Sequence, residues 1–204
     1  MLRFGVLGAG RIGKVHARTI AASGKAKVAY LADAMPKAAA DLAAEVGAKV
    51  ASVEDIIKAK DVDAILIATP TPFHAEQIEA GSNAGKAVLC EKPVSLSVAR
   101  IEECLKTVEK NKTKLMIGFN RRFDPNFAAL QKRLREGAVG EIEMATIISR
   151  DPGPPPMDYV RISGGLYRDM MIHDLDLARF LVGEDFVTVS ALGASLVDKA
   201  IGEA

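Results

Sequence analysis

The stretch "LRFGVLGAGRIGKVHA", residues 2–17, constrains the fold more than any other part of the chain. A short apolar run of strand character leads straight into Gly8, Ala9, Gly10, Arg11, Ile12 and Gly13, and from there into a segment of helical period. In that strand–turn–helix context a G-x-G-x-x-G spacing has a physical meaning. Gly8 permits the tight turn, Gly10 lets the backbone approach a pyrophosphate, and Gly13 lets helix and strand pack closely. The phosphates then sit at the helix N-terminus, where N–H groups and the dipole favour anions. Asp33 closes the second apolar run, twenty residues past Gly13. Its carboxylate is suited to accept from ribose hydroxyls and would repel a 2′-phosphate. Ala34 and Met35 follow it instead of an arginine, so NAD is expected over NADP, with Lys37 leaving some tolerance for the latter.

Further along, apolar runs near 2–7, 27–32, 48–50, 63–68, 87–90 and 114–118 alternate with helical periods at 11–23, 36–46, 53–59, 73–84 and 97–110. This is the pattern of a parallel sheet covered on both faces. It predicts an α/β, doubly wound unit over residues 1–119. From residue 120 to 204 the rhythm changes. A helix at 125–136, a strand at 141–149, a proline-rich loop "RDPGPPPMDY", a helix at 164–181 and a strand near 187–197 are expected. Such a second, α+β part would be unfinished, because two strands leave sheet edges unpaired.

The bulk properties exclude several classes. Of 204 residues, 49% are hydrophobic and 26% charged, with a net charge of +1 and no long run of either sign. Neither a nucleic-acid footprint nor a membrane-surface footprint is expected. No apolar stretch approaches the ~20 residues of a membrane span, and the first strand leaves no room for a signal peptide. Cys90 and Cys104 offer no disulfide framework and suit the cytoplasm. With 3 histidines and 2 cysteines at no recognisable ligand spacing, no metal centre is expected.

Ligands of doubly wound sheets bind beyond the carboxyl ends of the strands. Two more segments fall there: "ATPTPFH", with Thr69, Pro70 and His74, and "CEKP", with Glu91 and Lys92. The remaining candidate is "GGLYRDMMIHDLDLARFL", residues 164–181. On a helical wheel Asp169, His173 and Asp176 form a narrow polar seam in an otherwise apolar circumference. The seam reads either as a core histidine with its acceptor or as a base and its orienting acid. His16, on the first helix, reads as structural.

Taken with "GFNRRFD", residues 118–124, these motifs resemble the family of glucose-fructose oxidoreductase and the inositol dehydrogenases, in order and over the whole chain. The resemblance implies a Rossmann domain followed by a substrate domain that builds dimers or tetramers in the full-length protein. It implies oxidation of a secondary alcohol of a cyclitol or sugar with NAD or NADP, without metal, and of these two cofactors Asp33 favours NAD. Carried over by residue, Lys92 becomes the catalytic lysine, with Asp169 and His173 as its partners. Gly8 to Gly13, Asp33, Thr69, Pro70, His74, Glu91 and Lys92 line the cofactor, and the Lys92–Pro93 bond is expected to be cis. Asn120, Arg121 and Asp151 border the polyol. Family members exceed this chain in length, so a shortened second domain is expected. The competing readings are a sugar or rhizopine dehydrogenase of the same family, and a non-catalytic NAD-binding protein.

Overall fold

In the computed structural model, which describes residues 1–203, β1 (Leu2–Leu7), β2 (Ala26–Ala32), β3 (Lys49–Val50), β4 (Ala64–Ile67), β5 (Ala87–Cys90) and β6 (Leu115–Ile117) form one sheet. Every pair is parallel and the order is β3-β2-β1-β4-β5-β6. The chain divides into two units, Met1–Gly118, which holds this sheet, and Phe119–Ala204.

The first unit follows from its apolar pattern. β4 is buried along its whole length, as a strand covered on both faces must be. Successive side chains point to opposite faces. Ile65 and Ile67 therefore join a core with Ile56 of α3 (Val53–Lys58), Ile78 of α4 (His74–Asn83) and Cys104 of α5 (Val98–Lys110). Leu66 joins the opposite core with Ala17 of α1 (Arg11–Ala22) and Leu42 of α2 (Pro36–Val46). Burying each such aliphatic side chain stabilises by about 1.5–3 kcal/mol. Helix boundaries match local chemistry: Ser52 and Ser97 accept from Asp55 N and Arg100 N, and α2 stops at Gly47 in the left-handed region. Cys90 and Cys104 are free and buried, and burial raises the thiol pKa of both.

The strand order reverses between β1 and β4. From that point three strands lie to one side and three to the other. The loops after β1, β2, β4 and β5 all leave the same, carboxyl edge of the sheet. They carry Gly8, Asp33, Thr69 and Lys92 respectively.

The second unit is helical among its described residues. A 3₁₀ turn (Asn120–Phe123) leads into α6 (Pro125–Arg135), capped by Asp124, which accepts from Asn126 N at 2.8 Å. Then come α7 (Met157–Ser163), one π-helical stretch (Leu166–Met170) and α8 (Met171–Val182). The sequence reading is corrected here at three points. Residues 141–149 and 187–197 are not strands. Apolar residues of both lie open, with Met144 85% and Leu192 100% exposed. A strand exists only through a ladder partner, and none is present for these segments among the described residues. The proline-rich loop ends earlier than expected, because α7 begins at Met157, directly after Pro156. Lastly, residues 164–181 are neither one regular helix nor buried all round: α8 buries only Asp176 and Leu177.

At the first unit's edge Arg3 binds Asp63 through its backbone N (2.8 Å), Nε (3.0 Å) and Nη2 (2.8 Å). The guanidinium bond chiefly, helped by the backbone N–H, lowers the Asp63 carboxyl pKa from 3.8 to about 2. A depressed acid contributes stability above its unfolded value and loses it as the folded form is protonated. The contribution of Asp63 is therefore complete above pH about 4 and fades towards pH 2, and it is modest because solvent screens the pair. Asp63→Asn should flatten the acid limb of a thermal-stability profile between those limits while leaving the neutral region parallel to wild type.

Candidate functional site

At the end of β1 the backbone leaves no room for side chains at two of the three loop glycines. Gly8 has φ +104°, and a Cβ there would run into the Ala68 carbonyl oxygen. A Cβ on Gly13 would strike the carbonyl oxygen of Gly8. Around Gly10, by contrast, nothing lies within 4 Å of the position a Cβ would take. The following N-terminus of α1 has no side-chain cap and no acidic residue in its first turn. α3, α5 and α6 each have a capping side chain. The amide groups of α1 are thus presented to an anion instead of to their own chain. Arg11 and Ile12, exposed at this terminus, add a positive charge and an apolar surface.

Asp33 plays a further part. Its Oδ2 accepts from Ala9 N at 2.6 Å and its Oδ1 from Met35 N at 2.8 Å. The residue expected to meet ribose also shapes the glycine loop. A carboxylate offers about four acceptor positions, so two backbone bonds leave capacity for hydroxyl donors.

The two other crevice segments are linked through buried contacts that the sequence did not announce. Thr69 Oγ1 donates to Gln77 Oε1 at 2.7 Å. His74, expected to line the cofactor, is 2% exposed, with Nδ1 2.7 Å from the Pro93 carbonyl and Nε2 2.7 Å from the Thr69 carbonyl. That expectation is corrected to a supporting role, because a ring enclosed by two loop carbonyls has no surface left for a ligand. It ties the Thr69 turn to the loop carrying Lys92. The Lys92–Pro93 bond is cis. Glu91 Oε1 lies 2.6 Å from His16 Nε2, and its carboxyl group sits 3.2 Å from where a Cβ on Gly118 would stand. His16 therefore anchors the residue next to Lys92 to α1, and Gly118 gives that carboxylate its space.

In the second unit Asp169 falls within the π-helical stretch and His173 in the first turn of α8. The wheel of a continuous α-helix thus does not relate them. π-helical turns occur mostly as single irregular turns, frequently at functional sites. Tyr159 donates its hydroxyl to Asp169 Oδ1 at 2.9 Å. Asp176, the third member of the expected seam, is not part of any open polar surface. It is buried against Arg122 in a paired contact, Nε to Oδ2 at 2.8 Å and Nη2 to Oδ1 at 2.7 Å. That guanidinium also stacks over Phe180 at 5.4 Å. Arg121 is held by Asp174, which also accepts from Ser149 at 2.6 Å. Asn120 and Asp151 are exposed, the first in the 3₁₀ turn and the second in the loop before α7. No sequence signal marked Tyr159 or Gln77, and Gly118 stood out only as the first residue of "GFNRRFD", since each matters through a contact outside its own local segment.

Comparison with known proteins identifies the family. The model of the oxidoreductase family with the NAD-binding Rossmann fold matches residues 2–119, and the GFO/IDH/MocA C-terminal domain matches 127–203. The chain is 53% identical over 203 residues to the inositol 2-dehydrogenase of Rhizobium meliloti strain 1021, covering 100% of itself and 62% of that relative. A myo-inositol dehydrogenase structure from Corynebacterium glutamicum superposes with a TM-score of 0.94 at 42% identity, covering 100% of this chain and 61% of that one. Scyllo-inositol dehydrogenase from Lactobacillus casei, solved with bound NAD(H) and scyllo-inositol, gives 0.76 at 30% identity, covering 90% and 56%. The chain thus spans about three fifths of the length of these relatives.

The glycine geometry separates folding from binding. Gly10→Ala should leave the melting temperature within about 2 °C of wild type yet weaken NAD binding at least tenfold, as read by calorimetry, since the added methyl meets only the ligand. Gly13→Ala should lower the melting temperature itself by several degrees, because backbone must move.

Proposed function

Because the chain belongs to the oxidoreductase family with the NAD-binding Rossmann fold, we propose that the protein oxidises a secondary alcohol of a cyclitol with NAD, taking myo-inositol to scyllo-inosose. The observation that carries the proposal is the shared edge of the sheet. An uncapped α1 terminus, the Asp33 carboxylate and Lys92 all follow strands at their carboxyl ends, where ligands of such sheets bind. The choice of a cyclitol is supported by the relatives named for inositol oxidation.

The nicotinamide takes the hydride, and the protein must remove the hydroxyl proton. His173 is assigned as the base, because a neutral imidazole accepts a proton near neutrality. Asp169, just before α8, orients the ring and stabilises its charged form. The ammonium of Lys92 stabilises the developing alkoxide and helps to place the hydroxyls. Asn120, Arg121 and Asp151 are assigned to the polyol side, with Arg121 held by Asp174. Thr69, Pro70 and Glu91 are assigned to the cofactor side. A homo-oligomer of the full-length protein is part of the same proposal. The free buried thiols of Cys90 and Cys104 support the cytoplasm.

In the full-length protein, His173→Ala should lower polyol-dependent NAD reduction by ~10²- to 10⁴-fold with the NAD dissociation constant unchanged within twofold. Lys92→Ala should behave alike. Weakened NAD binding with wild-type turnover of the bound fraction would refute the assignment, and a wild-type full-length protein that reduces NAD at the expense of none of a panel of polyols would refute the function.

A further inference from the structure

We propose that Tyr159 is a positioning residue that fixes the carboxylate of Asp169; the proposal rests on the dehydrogenase reading, in which Asp169 orients His173. The contact is direct, with the phenol donating to Oδ1 at 2.9 Å. Three features of the surrounding chain make it more than a surface contact.

The backbone under Asp169 is irregular. Gly164 and Gly165 take φ of +89° and +75°, a consecutive left-handed pair that turns the chain sharply between α7 and the π-helical stretch. This turn brings residue 159 of α7 back beside residue 169. Side-chain directions in a regular α-helix are set by packing on the preceding turn. In a π-helical stretch that register is altered, and the Tyr159 hydroxyl supplies a restraint on the direction of Asp169 from a different helix.

The ring is not where it is to fill the core. Tyr159 is 45% exposed, whereas its neighbour Val160 is 6% exposed and supplies the packing of α7. Hence the hydroxyl, and not the ring, explains the placement. A tyrosine has only two side-chain torsions to restrain, so it delivers its hydroxyl at small entropic cost.

The bond also has the right chemistry. A phenol donating to an ionised carboxylate is a charge-assisted bond, shorter and stronger than a neutral one. One phenol bond occupies one of about four acceptor positions, so it does not compete with an imidazole N–H. The phenol keeps its proton throughout, and Tyr159 touches neither substrate nor cofactor in this role.

The test uses the full-length protein with two readouts. Unfolding of wild type, Tyr159→Phe, Asp169→Ala and the double variant should be non-additive by about fivefold in the unfolding constant, the signature of one hydrogen bond. Steady-state kinetics of Tyr159→Phe should show kcat lowered roughly tenfold with the NAD dissociation constant unchanged. The primary deuterium isotope effect should rise as the hydride step becomes limiting. An additive cycle overturns the proposal. So does a Tyr159→Phe protein with wild-type kcat and isotope effect, even if it melts lower, since that describes a merely structural tyrosine. If the wild-type protein oxidises no polyol, the dehydrogenase reading fails instead. The cycle then still decides whether Tyr159 holds Asp169: coupling sustains it and additivity removes it.

Discussion

The passage of Gly8 against the Ala68 carbonyl is the constraint on which the rest of the first unit depends. It lies at the reversal of strand order, where β1 and β4 are neighbours and their successive loops turn to opposite sides. Gly8 N donates to Ala32 O and Ala68 N to Leu7 O, both at 2.8 Å, so the strand ladder continues up to the turn. A side chain at Gly8 would push these two loops apart. The approach is close because the sheet needs it, and it also leaves α1 beginning directly at the sheet edge with its amides uncommitted. One steric condition thus produces both the packing of α1 and the anion-receptive surface.

Around this point the unit spends its charged and polar groups on holding loops. Asp33 fastens the glycine loop to the residue after β2. His74 spans the loops after β4 and β5, and His16 restrains Glu91, the residue before Lys92. Every one of these bonds has an acceptor or donor on a loop at the carboxyl edge. Loops that shape a cofactor surface lose conformational entropy when they order. Internal bonds that order them beforehand lower the cost of binding, which is the physical content of preorganisation.

The first unit was legible in the sequence because its signals are local. Six apolar runs, glycine stops and serine caps each act within a few residues, and the strands found differ from those expected by a residue or two. The glycine motif was legible too, since its strand, turn and helix are contiguous. His74 was misplaced because its partners, Thr69 O and Pro93 O, depend on where two loops meet, which no local pattern encodes. The second unit failed for a different reason. Residues 141–149 and 187–197 are rich in Ile, Val and Leu, a composition that suggests strands. Such a segment becomes a strand only when a ladder partner exists. The wheel drawn through residues 164–181 failed because it assumed one helical register. The left-handed pair Gly164–Gly165 and the π-helical stretch break that register before Asp169 is reached.

The contrast between the ion pairs of the second unit shows what the broken register achieves. Asp174 and Asp176 lie on the regular α8, and each is matched by an arginine of the Asn120–Phe123 turn. A regular helix presents residues two apart about 200° from one another, so consecutive arginines of a tight turn reach them from different directions. These pairs fix the turn on the helix and leave no carboxylate unsatisfied. Asp169 lies ahead of the regular helix, in the π-helical stretch, and its Oδ1 accepts from the Tyr159 hydroxyl of α7. The irregular turn thus directs Asp169 towards α7, while the regular helix directs Asp174 and Asp176 towards the Asn120–Phe123 turn.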